Sequence, residues 1–204
     1  MKPRVKVCGI TNLKDALFCL AAGADALGFI FYEMSKRYAE PRRAAEIIKN
    51  LPHGVTTVGV FVNAPRESIE RTLAVTGITT IQMSGDESPA DCIGYPVDVW
   101  KSFRIREKLD IDAIRSYQVA KLMLDGASDG KYGGSGELPD FSVAIEMQRI
   151  RPLYLAGGLN PDNVLEAIRA VAPYGIDVNS GVELSPGKKD HEKVHALFEA
   201  LTAI

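Results

Sequence analysis

The sequence has few of the residues on which disulfide-stapled, metal-bound or nucleic-acid-binding proteins depend. It holds three cysteines in 204 residues, Cys8, Cys19 and Cys92. Their odd number and wide spacing, with no CxxC and no Cys/His pairing, argue against a disulfide framework and offer no metal-ligand spacing. They read as free thiols of a reducing compartment. The three histidines, His53, His191 and His195, fall in a turn and on the last helical stretch, so none is a good catalytic candidate. An excess of one charge is missing too, since 24 Lys+Arg stand against 26 Asp+Glu for a net charge of −2. No broad basic field exists to hold nucleic acid or an anionic membrane surface, so an anionic ligand has to be caught locally. Long apolar runs are also absent, and MKPRVKVCGIT has no continuous apolar segment of signal-peptide length. A cytoplasmic protein is expected.

What is present is an ordinary globular composition, 46% hydrophobic and 25% charged, with no stretch that reads as a linker. One domain over residues 1–204 is expected. Short apolar runs alternate with amphipathic stretches: VKVCG, ALGFIF, TTVGVF, TTIQM, VDVWKSF, AKLMLD, PLYLAG and IDVNSG read as eight strands. Helix start signals stand between them at Thr11, at Pro65 and at Asn160-Pro161, and a final helix is expected over about 190–201. Strands buried on both faces and separated by helices imply parallel βαβ units, and eight of them imply an α/β fold closed as a (β/α)8 TIM barrel. An open doubly wound sheet is the alternative. It normally shows a glycine fingerprint after its first strand, and CGITNL is not GxGxxG.

Barrel chemistry sits where strands end and βα loops begin. The residues closing the strands are Cys8; Ser35 and Arg37; Asn63; Gln82 and Ser84; Arg104; Asp125; Gly157 and Gly158; and Asp177, Ser180 and Gly181. A thiol, a carboxylic acid, arginines and two glycine-rich turns on one rim suit proton transfer on an anionic substrate. LAGGLNPDNV and DVNSGVE sit after the seventh and eighth strands, where many barrels hold a phosphate on free backbone N–H groups. Taken singly, each candidate has a plainer reading: Cys8 as a core residue, Arg37 and Arg104 as solvated loop residues, Asp177 as part of a turn.

The motifs KVCGIT, GFIFYEMSKRY, VGVFVN, LMLD followed by YGGSG, LAGGLNPDNV and IDVNSGVELSPGKKD, in that order, resemble those of the phosphoribosylanthranilate isomerases of tryptophan biosynthesis. The resemblance runs from the first strand to the last helix. It implies an Amadori rearrangement of N-(5-phosphoribosyl)anthranilate to 1-(2-carboxyphenylamino)-1-deoxyribulose 5-phosphate, with no metal and no organic cofactor. It matches the general base to Cys8, the general acid to Asp125 and the substrate-positioning arginine to Arg37. Gln82, Arg104 and Asp177 are then expected to touch substrate, and Gly157, Gly158, Ser180 and Gly181 its phosphate. A small-molecule phosphosugar is the expected partner, without nucleic acid or membrane, in a monomer or homodimer.

Such a base needs a site that favours thiolate, and such an acid one that keeps a carboxyl protonated. Cys19 and Cys92 read as packing residues. The polar segment DGASDGKYGGSGELPDF after the sixth strand is long enough to act as a lid. Two departures touch the rim: QMSG stands where the family has QLHG, so Ser84 replaces a histidine, and SKRY stands where SPRY is usual. A different sugar-phosphate isomerase on the same barrel would instead want an aspartate at the end of the first strand, and a silent phosphosugar-binding protein would be expected to lack Cys8 or Asp125.

Overall fold

The computed structural model describes residues 2–104, 110–126 and 141–204. Eight parallel strands close into a barrel in chain order, with β1 (Arg4–Val7) pairing both β2 (Ala26–Ile30) and β8 (Gly175–Val178). Between them run β3 (Thr56–Phe61), β4 (Thr80–Met83), β5 (Asp98–Arg104), β6 (Lys121–Asp125) and β7 (Leu153–Ala156). The helices are α1 (Leu13–Ala22), α2 (Pro41–Lys49), α3 (Arg66–Thr76), α4 (Ile111–Arg115), α5 (Ser142–Gln148), α6 (Val164–Val171) and α7 (His191–Ala200). After β8 a short hairpin intervenes, β9 (Glu183–Ser185) against β10 (Lys188–Lys189). The (β/α)8 barrel is therefore as expected. The one crossover without an α-helix follows β4, where a single 3-10 turn, Pro89–Cys92, buries Cys92.

Strand alternation divides the apolar residues into two sets. Val5, Val7, Leu27, Phe29, Ile81, Met83, Leu122, Leu124, Leu153, Leu155, Ile176 and Val178 join helix residues such as Ala16 and Leu197 in the main core. Ala26, Val58, Trp100, Met123, Tyr154 and Ala156 form the second cluster, filling the barrel. Trp100 stacks on Tyr154 with ring centroids 4.7 Å apart. The Tyr154 ring occupies the space of a missing side chain, because a Cβ on Gly175 would stand 2.4 Å from it.

Two start signals shift. Asn12, not Thr11, caps α1 by accepting from the Asp15 amide at 2.8 Å, while the Thr11 hydroxyl donates to the Gly187 carbonyl. Asn160 does not cap α6. It closes a turn instead, accepting from the Asp162 and Asn163 amides at 2.8 and 3.2 Å, and the helix begins at Val164. In both places a short polar side chain finds nearer amides than the helix offers. Asp190 does cap α7, accepting from Glu192 and Lys193 amides. Residues 127–140, which carry most of the segment expected to be a lid, lie outside the described residues.

Candidate active site

Cys8 follows β1 directly, its amide donating to the Val178 carbonyl at 2.8 Å, and it is 4% exposed. Lys6, two residues earlier on the same face of β1, is wholly buried. Its Nζ lies 2.8 Å from Asp177 Oδ1 on β8, its register partner. Gly28 on β2 makes the space for both: a Cβ there would stand 2.8 Å from Cys8 Sγ and 3.1 Å from Lys6 Nζ. Burial pushes the Cys8 thiol above its ordinary value; Lys6 pulls it down and Asp177 pushes it up. This differs from the expectation that the site favours thiolate, because desolvation outweighs the nearby cation. Burial by itself would lower Lys6, but Asp177 and Cys8 outweigh it and hold the ammonium charged.

Asp177 is expected to meet a sugar hydroxyl, and the structure gives it a prior engagement with Lys6. Burial raises its carboxyl, Lys6 opposes this, and Asp125 raises it further. β6 and β8 flank β7 in the barrel, so these two carboxyls stand on one side of the mouth with a single strand between them. Asp125 closes β6 beside Arg104 of β5, in register with it. The Arg104 guanidinium donates to the Ser84 carbonyl at 3.2 Å, so the end of β5 is tied to the end of β4. Gln82, 4% exposed, donates from Nε2 to Ser84 Oγ at 2.9 Å, and its Oε1 has no hydrogen-bond partner among the described residues.

Arg37 is not a freely solvated loop arginine. Its Nε and Nη2 form a fork on Glu183, at 2.9 and 2.7 Å from Oε2. Lys189 binds the other oxygen, Oε1, at 3.1 Å, and the Gly187 amide donates to the same atom at 3.1 Å. Burial pushes Glu183 up, yet Arg37, Lys189 and the Gly187 amide outweigh it and keep its carboxyl below the usual range. The Arg37 stem crosses Gly9, where a Cβ would stand 3.0 Å from Arg37 Cδ and 2.7 Å from Asn179 Oδ1. Gly9 has φ +74°, so both its conformation and its surroundings call for glycine. This brings the arginine to the residue next to Cys8.

The two glycine turns meet. Gly157 and Gly158 have φ of 101° and 63°. Gly181 lies so close to the β7 loop that a Cβ would stand 2.0 Å from the Leu159 carbonyl oxygen. Ser180, Gly181, Asn160 and Lys193 line part of a cleft of about 540 Å³ beside these turns. The histidines sit elsewhere: His191 Nε2 is 2.9 Å from Asp15 Oδ1 and its ring stacks on Phe18, tying α7 to α1, while His195 points outward on α7. Burial raises the other two thiols, Cys19 to about 12 and Cys92 to about 11, as packing residues require. Among the described residues no group of three or more His, Cys, Asp or Glu side chains is placed to hold a metal ion, and no helix is long and apolar enough to cross a membrane.

The model of the N-(5′-phosphoribosyl)anthranilate isomerase family matches residues 5–200. The chain belongs to that family. A curated member from Citrifermentans bemidjiense is 48% identical over 195 residues, covering 96% of this chain and 95% of its own. Among solved structures, the phosphoribosyl anthranilate isomerase of Thermotoga maritima superposes with TM-score 0.89 at 40% identity, over 99% of this chain and 100% of that one. Another family member, solved in complex with reduced 1-(o-carboxyphenylamino)-1-deoxyribulose 5-phosphate, superposes with TM-score 0.87 at 38% identity, covering 99% of this chain and all of that one.

Around the expected residues of this family the structure adds Lys6, Glu183, Lys189 and Asn179, which sequence reasoning passed over. Lys6 had a signal: in VKVCG a lysine alternates with buried valines, so strand periodicity puts it inside the barrel with Cys8. Glu183 had none, because its partner Arg37 is 146 residues away.

Proposed function

We propose that the protein catalyses the family's Amadori rearrangement, with Cys8 as general base and Asp125 as general acid. The observation that carries this reading is positional: Cys8 follows β1 and Asp125 ends β6 in one closed parallel barrel, so thiol and carboxyl border the same mouth. Protonation of the furanose ring oxygen by Asp125 opens N-(5-phosphoribosyl)anthranilate to a Schiff base. The Cys8 thiolate removes the C2′ proton, and the C–H electron pair becomes the C1′–C2′ double bond of a neutral enolamine. Return of that proton to C1′ and loss of the enol O–H proton give the ketone, 1-(2-carboxyphenylamino)-1-deoxyribulose 5-phosphate. Substrate electrons rearrange without gain or loss, so residues that move protons suffice.

Binding divides along the substrate. Arg37, with two guanidinium nitrogens on Glu183, presents its remaining edge to the anthranilate carboxylate. Gln82 Oε1, buried with no donor among the described residues, accepts from a substrate hydroxyl, which offsets the desolvation cost of that oxygen. Asp177 offers the oxygen that Lys6 leaves, and Arg104 borders the same rim. The Gly157–Gly158 turn with Ser180 and Gly181 takes the phosphate on backbone N–H groups and a hydroxyl, as strand-to-loop turns of this kind do. The direct test is the loss of anthranilate fluorescence when the purified protein meets freshly made phosphoribosylanthranilate. No loss over the buffer rate would reject the reading. A crystal grown in sulfate should carry an anion at Gly158 and Gly181; a substrate analogue with its phosphate at Arg37 would reverse the orientation.

A further inference from the structure

We propose that Lys6 is the positioning residue whose ammonium stabilises the Cys8 thiolate during turnover, with Asp177 as the counter-ion that keeps that ammonium charged and aimed. The inference deepens the reading above and rests on Cys8 being the base.

A wholly buried lysine on the inner face of a barrel strand is costly, and one buried carboxylate would be as well served by two apolar residues. The placement argues for more than neutralisation. Lys6 and Cys8 alternate on one face of β1, and both side-chain ends meet at the space left by Gly28. Among the described residues, the charged groups that act on the thiol are identifiable. On β1 it is Lys6, on β8 Asp177, on β10 Lys189, and Asp125 of β6 acts through Asp177. Lys189 is already engaged by Glu183 and by Asn179 Oδ1 at 3.2 Å. Lys6 is the cation whose ammonium borders the same space as the sulfur, beside Gly28. When the thiolate takes the C2′ proton it becomes a neutral thiol, while the ammonium keeps its own proton throughout. The Lys6–Asp177 pair therefore gives the sulfur a fixed positive neighbour that needs no reorganisation during the step.

The test follows the thiolate itself. Its ultraviolet absorbance is titrated in the full-length protein, with Cys8→Ser as the blank that removes Cys19 and Cys92. In Lys6→Met the Cys8 titration should move up by roughly 1–3 pH units, the range for an opposite charge within ~4–6 Å. The acidic limb of kcat/KM should move with it. Lys6→Arg, which keeps the charge, should stay near wild type in both. Should Lys6→Met leave Asp177 unpaired and fail to fold, Lys6→Met/Asp177→Asn removes both buried charges. Its thiol should titrate above that of Asp177→Asn alone, because those two variants differ only by the lysine charge. An unmoved titration in either comparison would overturn the proposal. Wild-type turnover in Cys8→Ala would instead remove Cys8 from the mechanism, and the absorbance titration would still decide what Lys6 does to the thiol.

Discussion

Arg37 shows how much a single side chain can do in two directions at once. Its fork on buried Glu183 is a fold contact, and its free edge is the proposed grip on substrate. Arg37→Ala should therefore raise KM by roughly thirtyfold, the equivalent of ~2 kcal/mol for a hydrogen bond to a charged group. It should leave kcat within about an order of magnitude, because such binding is common to ground and transition states. Thermal denaturation of the same variant should show a lower Tm. A phosphoribosylaniline without the carboxylate separates the two effects: wild type should bind it weakly, and the variant little worse. If the variant still prefers the carboxylated substrate as strongly as wild type, another group recognises the carboxylate. Cys8→Ala and Asp125→Asn should do the reverse in steady-state assays, each lowering kcat by at least ~10² with little effect on Tm. Gln82→Met removes a buried acceptor that has no donor among the described residues. It should leave Tm equal or higher while raising KM, and a fall in Tm with KM unchanged would show that Oε1 serves the fold.

At the scale of elements, the two turns after β7 and β8 act as one unit because Gly181 lets them touch. Gly181→Ala would drive a methyl into the Leu159 carbonyl. Separating the turns should cost about 1–3 kcal/mol, as overpacking does, and raise KM for the phosphorylated substrate. Urea denaturation and steady-state kinetics would read the two effects, and normal values of both would mean the turns move independently. The strands were legible element by element, since TTVGVF or AKLMLD has nowhere to go but a doubly buried sheet. Helix starts were less so. At Thr11 and Asn160 the nominal cap residue bonded elsewhere, to the Gly187 carbonyl and to the Asp162 amide, and propensity alone does not rank those partners.

For the whole molecule, stability in acid should depend on two buried carboxyls that hold distant segments together. Burial pushes Asp15 up, but Asn12, the Lys189 amide and His191 outweigh it, so its folded value lies below the ordinary 3.8. Glu183 lies below its ordinary 4.5 for the reasons already given. Groups depressed in the folded state contribute stability that is complete above the unfolded value and is lost as pH falls through the folded one. Unfolding free energy should thus hold steady down to about pH 5 and decline below it. Glu183→Gln should flatten part of that decline and lower stability at neutral pH by roughly 3–5 kcal/mol, since Lys189 is left buried beside a neutral amide. Urea titrations across pH would check both, and a profile identical to wild type would place the acid sensitivity elsewhere.

The sequence by itself determined the barrel, its strand order and the residues at its rim. Doubly buried apolar runs, helical spacing between them and right-handed parallel crossovers leave few other closures. It also marked Cys8, Asp125 and the glycine turns, which stand at strand ends whatever their neighbours are. Only the tertiary structure decided what surrounds them. The partners of Lys6 and Arg37 come from segments far along the chain, Lys6 joining Asp177 across 171 residues and Arg37 joining Glu183 across 146. Closing β1 against β8 sets the first pair, and folding the β9–β10 hairpin against the loops after β1 and β2 sets the second. Charge compensation between such segments depends on distance and burial in three dimensions, and no local pattern in the chain encodes either.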